Sequence, residues 1–139
     1  MSNNHRQALA RLREEMDGPP FHHVLRPEAI DADAENGSVT IRLAFRDELA
    51  RAKGEKAFHG GVIASLIDLA GHAAVAVKIG RMAPTIDLRI DYLRPADGDA
   101  LIAHAKLLKT GRTVARVDIE ILDTQSRTIA LGRGTFSTA

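Results

Sequence analysis

The most informative segment of the chain is His59-Gly60-Gly61-Val62-Ile63-Ala64-Ser65-Leu66-Ile67-Asp68, two glycines followed by an apolar run that contains one carboxylate. Residues 62–77 are almost all Ala, Val, Ile or Leu. A helix that is apolar on every side is a buried helix. We therefore expect one long central helix over residues 61–79, capped by Gly80, with the rest of the chain wrapped around it.

Asp68 is the residue of this helix that most needs an explanation. An ionised carboxylate loses its hydration on burial, so it requires a partner, a proton or a chemical role. The glycines indicate a role, because a helix N-terminus offers free backbone N–H groups that a ligand can approach closely where no Cβ intervenes. A carboxylate and an oxyanion site are what hydrolysis of an activated carbonyl requires. The alternative is a polar stripe, since Ser65, Asp68 and His72 share one side of the helix.

The composition excludes several classes of protein. With 139 residues, 45% of them apolar, the chain has the size and core of one ordinary domain. A net charge of +1 and an aromatic content of 4% argue against nucleic acid as a partner. The absence of cysteine excludes disulfides and thiol catalysis, and it agrees with a cytoplasmic location.

Neither a membrane segment nor a metal site is expected. Residues 1–16 are polar and charged, unlike a signal peptide. The one long apolar run is rich in alanine and contains Asp68 and His72, whereas a membrane span is more hydrophobic. The pair His22-His23 lacks a third ligand at the spacing of a metal site.

For the rest of the chain, the sequence predicts one helix and six strands. Apolar residues recur at helical spacing over residues 4–16, and they alternate as in strands elsewhere. The predicted strands cover residues 23–34, 38–45, 85–93, 99–109, 112–122 and 128–138. In the strand at 85–93, strict alternation places Thr85 with Asp87, on the face opposite Ile86. Short turns between consecutive strands predict an antiparallel sheet.

One small sheet cannot cover a helix that is apolar on all sides. We therefore expect a second copy of the chain to complete the cover, which makes the protein a homo-oligomer.

Arginines at two predicted strand ends are candidates for binding an anionic group. Arg94 precedes a proline at the end of one strand, and Arg112 follows Gly111 in a turn. They are either solvated surface residues or contacts to the phosphates of a bulky ligand. No nucleotide-binding glycine motif is present, and Gly132-Arg133-Gly134, within a predicted strand, receives no functional meaning.

Several of these segments together resemble a known family. They are His59-Gly60-Gly61 with Asp68, the strand Pro84-Thr85-Ile86-Asp87-Leu88-Arg89-Ile90-Asp91-Tyr92-Leu93-Arg94-Pro95-Ala96, Gly111-Arg112-Thr113, and Gly132-Arg133-Gly134-Thr135-Phe136. In this order they resemble the hotdog-fold acyl-CoA thioesterases, and most closely the phenylacetate-degradation (PaaI-like) branch. The resemblance runs from about residue 20 to the end. It divides the chain into an N-terminal helix and turn at 1–20 and a hotdog domain at 21–139.

The resemblance implies an α+β hotdog fold, an antiparallel sheet wrapped around one long central helix. It also implies a homodimer or a dimer of dimers with active sites at the interface. Acyl-CoA would be the substrate, and no metal or cofactor would be needed, because coenzyme A is part of the substrate.

The resemblance assigns roles to individual residues. The Gly60 N–H would polarise the thioester carbonyl, Asp68 would act as base or nucleophile, and Thr85 would position the attacking water. His59 would shape the oxyanion loop. The predicted substrate-binding residues are Gly61, Ser65, Arg94 and Arg112. Many members carry an asparagine six residues before the HGG motif, where this chain has Lys53.

Two other functions remain open. A non-catalytic acyl-CoA-binding protein would use the same fold, although the helix before the domain is too short for a helix-turn-helix regulator. A hotdog dehydratase or hydratase would carry a His-Phe-Pro-Gly loop, which the sequence lacks.

Overall fold

The computed structural model describes every residue from Met1 to Ala139 and has the predicted α+β architecture. The helices are α1 (Asn3–Asp17), α2 (His22–Leu25) and α3 (Gly60–Ile79), with a short 3-10 helix at Asp47–Leu49. The strands are β1 (Glu28–Asp33), β2 (Ser38–Ala44), β3 (Thr85–Tyr92), β4 (Ala100–Thr110), β5 (Val114–Asp123) and β6 (Thr128–Ser137). They form one antiparallel sheet in the order β1-β2-β4-β5-β6-β3. The sheet wraps around α3, so the predicted hotdog fold is confirmed.

Helix α3 is the centre of the core. It begins at the N-cap His59 and ends at Gly80, whose φ of 77° is the left-handed conformation that glycine adopts readily. By length and composition α3 could cross a membrane, but most of it is covered by the sheet, as expected of a core helix. Helix α1 adds to the same core through Ala8, Leu9, Leu12 and Met16, which are buried.

Close packing between α3 and β6 depends on glycine. A Cβ on Gly132 would lie 2.4 Å from Cγ2 of Ile67, and one on Gly134 would lie 2.6 Å from the ring of Phe136. The same ring lies 2.8 Å from the Cβ position of Gly71 on the helix. The Gly132-Arg133-Gly134 segment, to which the sequence analysis assigns no function, therefore allows α3 to pack closely against β6.

The strand predicted over residues 23–34 is wrong in its first part. Residues His22–Leu25 form α2 instead, and the strand begins only at Glu28. The guanidinium of Arg46 donates hydrogen bonds to the carbonyls of Val24 and Leu25, which closes this short helix. Such a contact between distant residues has no signature in local alternation.

The face predicted for Thr85 is also wrong. The register of β3 against β6 shifts between Thr85 and Asp87, so Ile86 is an extra residue in a bulge. Thr85 pairs with Phe136, whose side chain is in the core, and therefore turns towards α3 rather than joining Asp87 on the outer face. The bulge matters for the site, because it aims the threonine hydroxyl at the helix.

Strand β3 is an open edge of the sheet. Six of its eight residues are exposed, and Ile86 and Tyr92 are 59% and 53% exposed. The side of α3 that carries Ser65, Asp68 and His72 is only half-buried, unlike the rest of the helix. Part of the helix that the sequence predicts to be covered on all sides thus remains accessible in a single chain.

Candidate active site

Asp68 and Thr85 form the central pair of the site. The Thr85 hydroxyl donates a hydrogen bond of 2.6 Å to Oδ1 of Asp68. Asp68 is half-buried on α3, and Thr85 is exposed at the start of β3. No other hydrogen bond reaches the Asp68 carboxylate, so its second oxygen can accept a proton from a water or contact a substrate directly. Two residues predicted for one site are thus in direct contact.

The N-terminus of α3 leaves one backbone donor free. Nδ1 of His59 accepts the N–H of Gly61 at 2.8 Å, and the His59 carbonyl accepts the N–H groups of Val62 and Ile63. Only the N–H of Gly60 has no partner in this first turn. A Cβ on Gly61 would lie 3.0 Å from His59 Nδ1, which explains the second glycine. His59 therefore caps the helix, and Gly60 carries the donor available to a ligand.

Tyr92 is a contact that the sequence reasoning missed. Its hydroxyl donates to the Gly60 carbonyl at 2.8 Å, which ties the end of β3 to the start of α3. The available signal was its chemistry: Tyr92 is the only tyrosine, and it ends an otherwise aliphatic face of β3. A phenolic hydroxyl on such a face generally requires a polar partner.

The two ends of the site are far apart within one chain. Gly60 and Asp68 are separated by eight residues of continuous α-helix, which corresponds to about 12 Å. Gly60 lies with Tyr92 at one end of β3, and Asp68 lies with Thr85 at the other. One chain therefore cannot present both the free N–H and the carboxylate to the same carbonyl carbon.

The other predicted binding residues are dispersed. The Ser65 hydroxyl donates to the Gly61 carbonyl inside its own helix at 2.9 Å. Arg94 is exposed just beyond the Tyr92 end of β3, and Arg112 is exposed in the turn between β4 and β5. The turn that carries Arg112 lies near the Thr85 end of β3. Val114, just after the turn, pairs with Ser137 of β6, and the Ser137 N–H donates to the carbonyl of Pro84, the residue before Thr85. Neither arginine forms an ion pair.

His72 lies one turn beyond Asp68 and faces the segment that leads into β3. Its Nε2 accepts the backbone N–H of Ala83 at 3.1 Å, and its Nδ1 lies 3.7 Å from Oε2 of Glu15 on α1. Burial lowers the pKa of His72 below its ordinary value, while the charges of Glu15 and Asp68 act in the opposite direction. No group of three His, Asp or Glu side chains is arranged to hold a metal ion.

Comparison with known proteins agrees with this fold. The sequence profile of the thioesterase superfamily matches residues 56–130. The medium/long-chain acyl-CoA thioesterase YigI of Escherichia coli K12 is 32% identical over 135 residues, which cover 84% of each protein.

Two solved structures superpose closely on the whole chain. The PaaI protein of Escherichia coli, from the phenylacetic acid degradation operon, has a TM-score of 0.84 at 26% identity, covering 97% of this chain and 95% of its own. Zebra fish thioesterase superfamily member 2 has a TM-score of 0.82 at 26% identity, covering 99% of this chain and all of its own. With a family profile over more than half of its length and these relatives, the chain belongs to the thioesterase superfamily and has its hotdog fold.

Proposed function

We propose that this protein is an acyl-CoA thioesterase, which hydrolyses a thioester to a carboxylic acid and free coenzyme A. The observation that carries the proposal is the Asp68 carboxylate, held by the Thr85 hydroxyl and keeping one oxygen open. The family membership and the activity of the YigI relative support thioester chemistry. Water is the only co-reactant, so the reaction needs no redox or metal cofactor.

Asp68 activates the water, or attacks the carbonyl itself to give an anhydride that water then opens. In the first route the open carboxylate oxygen takes a proton as the water oxygen bonds to the carbonyl carbon. The Thr85 hydroxyl keeps its lone pairs available to orient that water. The resulting oxyanion is stabilised by the Gly60 N–H at the helix N-terminus. Collapse breaks the carbon–sulfur bond, and the thiolate of coenzyme A takes up the proton.

A homodimer brings the two ends of the site together. Within one β3 strand, Thr85 and Tyr92 are about 23 Å apart. Antiparallel pairing of two β3 edges brings the Thr85 end of one chain beside the Tyr92 end of the other. Since Tyr92 holds Gly60, each Asp68 then lies beside the Gly60 N–H of the other copy. The exposed apolar residues of β3 support this pairing, because an open edge strand is a template for another strand. A dimer of dimers would contain the same unit.

The same pairing accounts for arginines at opposite ends of one chain. In the proposed dimer, Arg94 of one copy lies beside the Thr85 end of β3 in the second copy. Arg112 of that second copy lies near the same end of the strand. A guanidinium grips phosphate with two hydrogen bonds, so these two residues are the candidates for binding the nucleotide phosphates of coenzyme A. We place the enzyme in the cytoplasm, consistent with a chain without cysteine.

Asp68→Asn tests the proposed function. The change removes the base but keeps the volume, so we expect kcat for acyl-CoA hydrolysis to fall by about 10²-fold or more with the fold intact. Free coenzyme A is measured with a thiol reagent over a panel of aryl, medium-chain and long-chain acyl-CoAs. Asp87→Asn is the matched control, because Asp87 lies on the outer face of β3, the strand that also carries Thr85, and forms no hydrogen bond or ion pair through its side chain.

Two results would contradict the proposal. If Asp68→Asn retains most of the wild-type kcat, Asp68 is not part of the chemistry. If the wild-type protein binds acyl-CoA but releases no coenzyme A from any member of the panel, the protein is a non-catalytic acyl-CoA binder.

A further inference from the structure

We infer that His72 is a positioning residue, whose neutral ring anchors the backbone at Ala83 and thereby holds the Thr85 hydroxyl against Asp68. Glu15 of the N-terminal helix α1 supports the ring from the other side. The inference rests on the proposed function for its catalytic consequence, and on the structure alone for the anchor itself.

The anchor consists of two hydrogen bonds between α3 and the segment leading into β3. His72 Nε2 accepts the N–H of Ala83 at 3.1 Å, and Asp68 accepts the hydroxyl of Thr85 at 2.6 Å. The two acceptors are four residues apart on one helix face, and the two donors are two residues apart along the chain.

The chain segment between the two hydrogen bonds, from Ala83 to Thr85, has little conformational freedom. Ala83 is fully buried, and the residue between the donors is Pro84, whose ring fixes φ. The Pro84 carbonyl is itself bound by the N–H of Ser137 on β6 at 2.7 Å. The position of the Thr85 hydroxyl is therefore set jointly by the pairing of β3 with β6 and by the Ala83 anchor, with no free rotation in the chain between them.

The anchor requires one protonation state of His72. A ring nitrogen that accepts an N–H carries no proton, so the proton of the neutral ring is on Nδ1. Nδ1 faces Oε2 of Glu15 at 3.7 Å, and the other oxygen of Glu15 accepts from Arg11 at 2.7 Å. Helix α1, which lies outside residues 56–130 matched by the family profile, is thereby linked to the site.

Protonation of His72 removes the acceptor and leaves a buried N–H without a partner. The titratable and charged groups near the ring are Glu15 and Arg11 on α1, His22 on α2 and Asp68 on α3. Burial is the largest influence and lowers the pKa of His72, so the ring is neutral at pH 7. As pH falls through the lowered pKa of His72, proton uptake by the ring should release the anchor and reduce kcat.

The test compares two substitutions of similar size. In His72→Gln the side-chain oxygen can take the place of Nε2 as acceptor, but it does not titrate. In His72→Leu the acceptor is lost. We expect His72→Gln to retain kcat within about threefold, and His72→Leu to lose about 10- to 100-fold in kcat with little change in KM, because a misplaced group affects the chemical step.

The pH profile separates positioning from simple stability. Wild type should show an acidic inflection in kcat that His72→Gln lacks, in addition to any inflection of the catalytic base that both proteins share. In Glu15→Gln this inflection should move to lower pH, because a carboxylate that favours protonated His72 has been removed. If His72→Leu does not fold, the profile decides: the same inflection in His72→Gln and wild type overturns the inference.

Amide exchange at Ala83 tests the anchor without any substrate. The Ala83 N–H should be protected in wild type and in His72→Gln, and exchange at least 10-fold faster in His72→Leu. Full protection in His72→Leu, or a kcat equal to wild type, overturns the positioning role. Loss of Ala83 protection in a protein that hydrolyses no thioester would instead count against the proposed function and leave the anchor standing.

Discussion

Gly60 is the residue whose backbone, rather than its side chain, is expected to act. It is the first residue of α3, and its N–H is the one donor of the first helical turn without a partner. His59 already takes the Gly61 N–H, so the second glycine accommodates the cap and the first presents the donor. A Cβ on Gly60 would lie 3.6 Å from the Tyr92 ring, an ordinary contact. Steric fit therefore does not require glycine here, and what the proposed mechanism requires of this residue is its free N–H.

Gly60→Pro should remove this donor with little disturbance of the helix. Proline is well tolerated at the first helical position, and His59 already has the extended conformation that a following proline requires, with φ −61° and ψ 139°. Loss of one oxyanion donor should lower kcat by about 10²- to 10³-fold. The measurement is kcat for acyl-CoA hydrolysis, together with the thermal midpoint to confirm the fold.

Gly60→Ala is the comparison, since it adds a Cβ but keeps the N–H. It should lose far less activity than Gly60→Pro. Equal losses in the two variants would assign the effect to crowding at the helix N-terminus and remove the Gly60 N–H from the mechanism.

At the scale of elements, the site depends on how closely α3 lies on the sheet. The glycines of β6 bring the helix towards the strand, with Ile67 packed over Gly132. Asp68 follows Ile67 directly, and Thr85 begins the strand that pairs with β6. The 2.6 Å bond between Asp68 and Thr85 therefore requires that the helix and sheet stay at this distance.

Gly132→Ala should push the helix away from β6. The new Cβ would lie 2.4 Å from the Ile67 Cγ2, so something must move, and overpacking of this kind costs about 1–3 kcal/mol. Urea denaturation measures the free energy of unfolding. Adding Ile67→Ala makes room for the new methyl, so the double variant should be more stable than the sum of the two single losses predicts. Strict additivity would show that the two residues do not limit the approach.

For the molecule as a whole, the proposed mechanism divides the site between two chains. The helix places Gly60 and Asp68 about 12 Å apart, a separation that no side-chain movement closes for a backbone N–H. The open β3 edge offers the surface on which a second copy would complete the site. In the proposed dimer, oligomerisation is a condition for catalysis and not only for covering apolar surface.

Mixed dimers test this division. A dimer of one Asp68→Asn chain and one Gly60→Pro chain, isolated through two affinity tags, contains one site with both changes and one site with neither. We expect such a dimer to recover about half of the wild-type activity, although each variant alone is inactive. If each site lay within a single chain, every site of the mixed dimer would carry one change. The absence of recovery in a dimer confirmed by sedimentation would overturn the shared site.

The amino-acid pattern alone predicts the central helix and the residue types of the candidate site. A run that is apolar on all sides has few alternatives to a core helix, and Gly80 ends it for a local conformational reason. The alternation of the later strands and their short turns predicted the antiparallel sheet. The HGG segment with Asp68 indicated the chemistry, because a carboxylate in an apolar run is costly wherever the run folds.

The contacts between the helix and the strands of the site depend on the tertiary structure. Strict alternation predicts the wrong face for Thr85. The actual face results from the bulge at Ile86, which forms where β3 pairs with β6. The ties of Tyr92 to the Gly60 carbonyl and of His72 to the N–H of Ala83 join residues distant in sequence. Local patterns report on backbone conformation and on which face is apolar, whereas register and long-range hydrogen bonds depend on elements that have already packed.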